Sequence, residues 1–504
     1  MRRPSRMWDM RRIAFAALFI TCAFAQDLKE FEKRVTEFTL KNGLHFIIVE
    51  RHEAPVVSFH TYINAGAVDD PNGKTGVAHM FEHMAFKGTE AIGSKNIGAE
   101  KRALANIEKV YDELDQEKRK GPTADKTRVG ELEKKLKDAI ETANSYVDSE
   151  LYTRILEESG ENGLNASTAP DATRYFYSLP SNRLELWYLM ESDRFLHPVF
   201  REFYKERDVV REEKRMRVES SPNGRLFEIL LAGAFEGHPY KNPPAAFSSD
   251  IENLRVGDAE RFMKTYYVPG NMTIAIVGDI DPKECRRLAE QYFGPMVPAP
   301  LPPGVITVEP QQEGERRVTM QSPAQPLFIV GYKRPDQNHA DDAVFDVIDG
   351  IVSGGRTGWM YQEMVEKSQT ALAVDTGSGL PGGKYPNLYA FMALPNSGKT
   401  IEDFEKGVYE IIDRLKKETI DETTMKRVKT KVRASVIRQL GSNPGLAAEL
   451  TRYHVSYGDW RMLFRSVEEI DKVSAADVQR VAKQYFIDKT RTVAYHVKPT
   501  KEGQ

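Results

Sequence analysis

The chain is written twice, and that constrains its fold more than any other feature. Ile251, Asp258, Arg261, Lys264, Tyr266, Thr273 and Ala275 recur 219 positions later as Ile470, Asp477, Arg480, Lys483, Tyr485, Thr492 and Ala494. Both copies read as a polar-started helix followed by a strand, at Met272–Val277 and Arg491–Val497. A second pair keeps the same order: Tyr175–Asn182 and Tyr389–Asn396 each run through Leu-Pro into a helical stretch. Two ordered pairs argue for duplication of one structural unit. The seam is the segment Gly294–Gly304, which carries Pro295, Pro298, Pro300, Pro302 and Pro303 and reads as a stiff connector. The expected architecture is α+β: two homologous α/β sandwich halves, each an antiparallel sheet covered by helices, at 26–294 and 305–504, with the linker at 295–304.

Residues 1–25 read as an address. Five arginines precede an uncharged run from Ile13 to an Ala-Phe-Ala end at Ala25, the pattern of a signal peptide and too short to span a bilayer. The expected product is exported, periplasmic or secreted, with no membrane span after cleavage. Removal of this segment takes the formal charge from −3 to −7, and Cys285 becomes the lone cysteine. That charge offers no basic excess for nucleic acid. One cysteine rules out a disulfide scaffold and any thiolate-rich metal site. A bound metal must be held by imidazole and carboxylate.

One stretch has no counterpart in the second half. From about Glu100 to Ser149 the chain is rich in Glu, Lys and Ala, with one apolar stripe at Ile107, Val110 and Leu114. Another runs through Leu132, Leu136, Ala139, Ala143 and Val147. Gly121-Pro122 breaks the run, so the expectation is an inserted pair of antiparallel helices. It reads either as a solvated hairpin or as a docking arm.

The strongest chemical signal is His79-Met80-Phe81-Glu82-His83. Residues four apart share a helix face, so both imidazoles can converge on one ion. Glu82, beside His83, is placed to take a proton from water activated there. H-x-x-E-H is a recognised metal-hydrolase pattern. A hydrolytic zinc site needs three protein ligands, and the remaining histidines are scattered. Carboxylates cluster at Glu206, Glu212 and Glu213, and Glu206 and Glu213 lie two turns apart on one face. Spacing does not choose among the three.

Val77–Thr89 closely resembles the active-site helix of the M16 (pitrilysin-like, mitochondrial processing peptidase-like) zinc metallopeptidases. The resemblance extends to Leu164–Thr168, Glu206–Glu213, the Pro269–Asp279 stretch and the duplicated layout. It implies one zinc per chain held by His79, His83 and Glu213, with Glu82 as catalytic base and Glu206 supporting the site. It further implies that Asn165 and Ala166 lie on the edge strand that pairs with an extended peptide substrate. In the second half, family members that complete the site resemble R-x-x-x-x-x-x-Y; this chain has Val365 and Leu372 there. Arg356 or Tyr361 could substitute. The preferred reading is that a second M16-like subunit supplies the Arg and Tyr contacts. The expected function is thus a zinc metalloendopeptidase acting on peptides or unfolded segments. The alternative is a non-catalytic M16-like assembly or binding subunit.

If the leader reading is right, N-terminal sequencing of the exported protein begins at Gln26. A chain retained with Met1 at its start contradicts it.

Overall fold

The computed structural model describes residues 29–498, so the expected signal peptide lies outside the described residues. The first half supplies β1 (Val35–Thr39), β2 (His45–Glu50), β3 (Val56–Ile63), β4 (Asn162–Thr168), β5 (Thr173–Pro180) and β6 (Met272–Gly278). The second supplies β7 (Arg316–Gln321), β8 (Phe328–Arg334), β9 (Ala371–Leu380), β10 (Asn387–Pro395) and β11 (Arg491–Val497). They form two sheets, ordered β1-β2-β6-β3-β5-β4 and β7-β11-β8-β10-β9. Apart from β1, the orders correspond strand for strand, and the repeated segments β6/β11 and β5/β10 occupy matching places. Each half is therefore the same sheet, as the duplication requires.

Each sheet departs from a purely antiparallel one at a single pair. β2 and β6 run parallel, as do β7 and β11. Nearly the whole of each half intervenes between the members of a pair, so no hairpin dictates their relative direction.

The halves are bound by exchanged helices. Helix Asn443–Tyr457 belongs to the second half but packs on β3 and β6 of the first sheet. Its Leu446, Ala447 and Leu450 meet Ile47, Val49, Ala275 and Val277, and Thr451 Oγ1 lies 2.8 Å from His60 Nδ1. Reciprocally, helix Pro222–Ala234 of the first half packs on β7 and β11. There Leu226, Leu230, Leu231 and Ala234 meet Ile329, Leu388, Ala390 and Ala494. Covered on both faces, the central strands lose the in–out alternation of a half-exposed sheet: every residue of β6 is buried. A further clasp joins the halves at Asp171, whose Oδ2 accepts N–H groups from Gly383 at 2.8 Å and Lys384 at 3.0 Å. Among the described residues no helix is long and apolar enough to cross a membrane.

The inserted segment forms two long helices, Ile97–Lys118 and Lys126–Asn144, which pack on each other and bury Ile107, Val110, Leu114, Leu132, Ala139 and Ala143. Val147 lies beyond the second helix, bridged to Ser94. The base is rooted by Arg201, which is fully buried. Its Nε donates to Glu100 Oε1 at 2.7 Å and its terminal nitrogens donate to the carbonyls of Lys87, Ile92 and Thr89, each at 2.8 Å. The remaining N–H reaches Glu100 Oε2 at 3.3 Å, so all five guanidinium donors are used.

Removing Glu100 leaves a cation buried without its counter-charge. Glu100→Ala is expected to lower stability by roughly 3 kcal/mol or more, seen as a lower urea midpoint and faster proteolytic nicking of 97–144. An unchanged midpoint contradicts the anchoring role.

Candidate metal centre

The eight-residue helix Val77–Met84 is held at its start by Asp70, whose carboxylate accepts the backbone N–H groups of Gly76 at 2.6 Å and Ala78 at 2.9 Å. Gly76 has φ +91, a left-handed conformation that a glycine adopts without strain. Val77, Ala78, Met80, Phe81 and Met84 are buried in the core of the first half. This burial fixes the helix rotation and turns His79, Glu82 and His83 toward helix Phe203–Lys214. That second helix is fixed by buried Phe203 and Val210, and by Lys214, which donates to Glu228 at 2.9 Å and to the Ala246 carbonyl at 2.5 Å.

Three ligand atoms converge between the two helices. His79 Nε2 lies 3.7 Å from Glu213 Oε2, and His83 Nε2 lies 3.5 Å from the same oxygen. The rings of His79 and His83 stand 4.8 Å apart and nearly perpendicular. Among the described residues these three form a group able to share one ion, with ligand atoms within 4.8 Å of one another. Two imidazole nitrogens and a carboxylate oxygen, with one side open to a cleft, match the donor set of a hydrolytic zinc site. The residues present therefore fit the metal that the sequence resemblance implies.

The neighbours prepare this set. Glu206 Oε2 faces His83 Nδ1 at 3.4 Å, while Glu206 Oε1 is paired with Lys87 Nζ at 2.5 Å. A proton on His83 Nδ1 directed at Glu206 leaves Nε2 free to ligate. Arg217 pairs with Glu213 Oε1 at 2.5 Å, leaving Oε2 for the histidines. Hydrogen bonding to His83, ahead of the opposing effect of burial, draws Glu213 down to about 2. Burial disfavours charge on His83, but Glu206 and Glu213 outweigh it and push the imidazole up to about 9. Burial, reinforced by repulsion from His83, takes His79 down to about 4. The centre thus favours its positive charge on His83, and a metal held there would compete with that proton.

Glu82 lies beside the three. Its Oε2 accepts the Thr168 hydroxyl at 2.5 Å, and burial raises its carboxyl above the ordinary value. The open side is a cleft of roughly 820 Å³, walled by the two helices and by Leu164–Thr168 of β4. Asn165 and Ala166 lie on β4, the outermost strand of its sheet.

Of the three glutamates that spacing leaves open, Glu213 meets both histidines, Glu206 meets His83 alone, and Glu212 is exposed and paired with Arg215. Four supporting residues are not singled out by the sequence pattern: Asp70, Lys87, Thr168 and Arg217. For two of them a signal exists, since Lys87 follows His83, and Arg217 follows Glu213, by one helical turn. Val365, Leu372, Arg356 and Tyr361 do not reach the cleft, whose lining belongs entirely to the first half.

The second half repeats this scaffold without the ligands. Asp349, on helix Asp342–Val352, accepts the Thr376 hydroxyl at 2.5 Å from β9, a helix-to-edge-strand contact of the same kind as Thr168 to Glu82 but not at the matching strand position. Among the described residues, the group able to share one ion lies in the first half.

Two family models match the chain. The family model described as Insulinase (Peptidase family M16) matches residues 45–111 and 140–246. The model described as Peptidase M16 inactive domain matches residues 253–432. The gap between 111 and 140 falls on the helical hairpin. A Helicobacter pylori protein named Zinc protease PqqE is 26% identical over 496 residues, 96% of this chain and 97% of that one. An Arabidopsis thaliana protein named Probable mitochondrial-processing peptidase subunit beta, mitochondrial, is 22% identical over 91% of this chain and 77% of its own length. The solved structure of a protease from Helicobacter pylori superposes with a TM-score of 0.76 at 24% identity, covering 92% of this chain and 99% of the other.

The Asp70 clamp has a measurable cost of removal. Asp70→Ala leaves two N–H groups at a buried helix start unpaired and is expected to cost about 1–2 kcal/mol, read as a lower unfolding midpoint. An unchanged midpoint contradicts it.

Proposed function

The chain belongs to the M16 peptidase family, and on that premise we propose that it is a zinc-dependent endopeptidase that hydrolyses peptides or unfolded segments. The observation that carries this reading is the convergence of His79 Nε2, His83 Nε2 and Glu213 Oε2 with Glu82 alongside. His79, His83 and Glu213 would hold the metal, one ion per chain. Zinc there would supply Lewis acidity, acidifying water and polarising the scissile carbonyl.

The chain's own groups do the rest. Glu82 takes the proton of the attacking water on its carboxylate and returns it to the leaving amine. Thr168 engages Oε2 of Glu82, which leaves the other carboxylate oxygen without that partner, and burial gives the group the raised proton affinity that a proton carrier needs. Glu206, itself steadied by Lys87, holds the His83 ring in its ligating orientation. The outer edge of β4, at Asn165 and Ala166, offers backbone groups to which an extended substrate adds as a further strand. On this reading the scissile bond would lie between β4 and the helix Val77–Met84.

Among the described residues no second-half side chain lines the cleft, which favours a second M16-like chain as the source of Arg and Tyr contacts to the substrate. The relative named as a processing-peptidase beta subunit is consistent with a subunit role. The basic, apolar leader at 1–25 favours action outside the cytoplasm.

Glu82→Gln is expected to abolish cleavage of a peptide library while zinc stays near one per chain. Glu206→Gln is expected to weaken zinc binding by roughly 10- to 100-fold. Cleavage by the Glu82→Gln variant would overturn the assignment of the base. A zinc-loaded wild-type assembly that binds peptides and cleaves none would favour the binding-subunit reading instead.

A further inference from the structure

The helical insertion leaves a groove that the chemistry above does not use. Between it and helix Phe203–Lys214 lies a cavity of roughly 1370 Å³. Its floor is apolar: Leu114, Leu136 and Ile140 come from the hairpin, and Val209 and Met216 from the opposite wall. Val209 is 44% exposed and Met216 64% exposed, unusually open for side chains of that kind beside a buried site. Charges of both signs rim it as well, seven carboxylates against five cations, so its charge is mixed with a small acidic excess.

Two features connect this groove to the metal centre. Val209 stands one turn before Glu213 on the same helix, and Met216 follows three residues later in the wider turn Arg215–Glu219 that continues it. Glu213 and Arg217 line both the groove and the cleft that holds His79 and Glu82. A chain lying along β4 across the centre can therefore continue into the groove without leaving the surface. The groove is also preformed. Arg201 and Glu100 fix the base of the hairpin, Tyr204 donates to Glu108 at 2.7 Å, and Arg255 reaches Asp112 at 2.8 Å. Farther out, Lys118–Glu133 ties the two arms to each other and not to the facing helix, which keeps the groove open.

We infer that the insertion and helix Phe203–Lys214 together form an apolar subsite that takes a bulky aliphatic or aromatic side chain of an extended polypeptide whose scissile bond lies at the His79–His83–Glu213 centre. This rests on the peptidase reading for the position of the bond, and continuity with the cleft is what favours substrate over a partner's surface. The insertion then sets specificity: it selects polypeptides with a large apolar residue a fixed distance from the cleaved bond.

The test pairs binding with cleavage. Two labelled peptides, identical except for Leu or Ser at one position, are titrated by fluorescence anisotropy into Glu82→Gln protein and into the same protein carrying Leu136→Lys or Met216→Lys. Lys134→Glu, on the exposed outer side of the hairpin, serves as control. The Leu peptide is expected to bind more tightly than the Ser peptide, and that ratio to fall about tenfold in either groove variant and not in the control. In parallel, library cleavage by the wild type is expected to enrich a large apolar residue at one fixed position, an enrichment lost in the groove variants. An unchanged binding ratio overturns the subsite, whether or not the library is cleaved. Loss of the ratio with no cleavage by the wild type retains the groove as a peptide site and sinks the peptidase reading. Groove variants that instead change the sedimentation of the protein without changing the ratio identify a chain–chain interface and overturn the proposal.

Discussion

Everything at the centre depends on the rotation of one short helix. Val77–Met84 has eight residues, and five of them are pressed into the core of the first half. With that face committed, His79, Glu82 and His83 have one direction left, toward Phe203–Lys214. The latter helix is committed in turn by Phe203, Val210 and the buried Lys214, so Glu213 meets the two imidazoles. Packing energy thus holds a polar cluster that would be unstable by itself: burial opposes charge on His83, and Glu206, Glu213 and Glu82 together outweigh it.

The duplication explains both the scaffold and its asymmetry. Apart from β1, the two sheets repeat strand for strand. Yet among the described residues the group able to share one ion lies in the first half. One half has kept the ligands and the other the packing. The exchanged helices make the halves mutually dependent, because each sheet buries one face only with a helix lent by the other. The first half is therefore held in shape by the half that contributes nothing to the cleft.

Much of this is legible in the residues. The repeat gives two like sheets, the Glu- and Lys-rich stretch gives a helix pair, and H-x-x-E-H gives a helix with both imidazoles on one face. The rest is decided by contacts distant in sequence. Which of Glu206, Glu212 and Glu213 meets the histidines depends on the relative rotation of two helices, and spacing within either is silent on that. The exchange of Asn443–Tyr457 and Pro222–Ala234 leaves no local pattern, since an apolar face looks the same whichever sheet it covers. The parallel pairs β2/β6 and β7/β11 escape for a related reason: no turn between their strands carries a direction.

The most direct measurement is anomalous diffraction at the zinc edge from crystals of the full assembly equilibrated with zinc. A single peak per chain enclosed by His79, His83 and Glu213 is the predicted result. A chain with no peak there, or with its only peak elsewhere, would contradict the claim that these three residues form the metal centre.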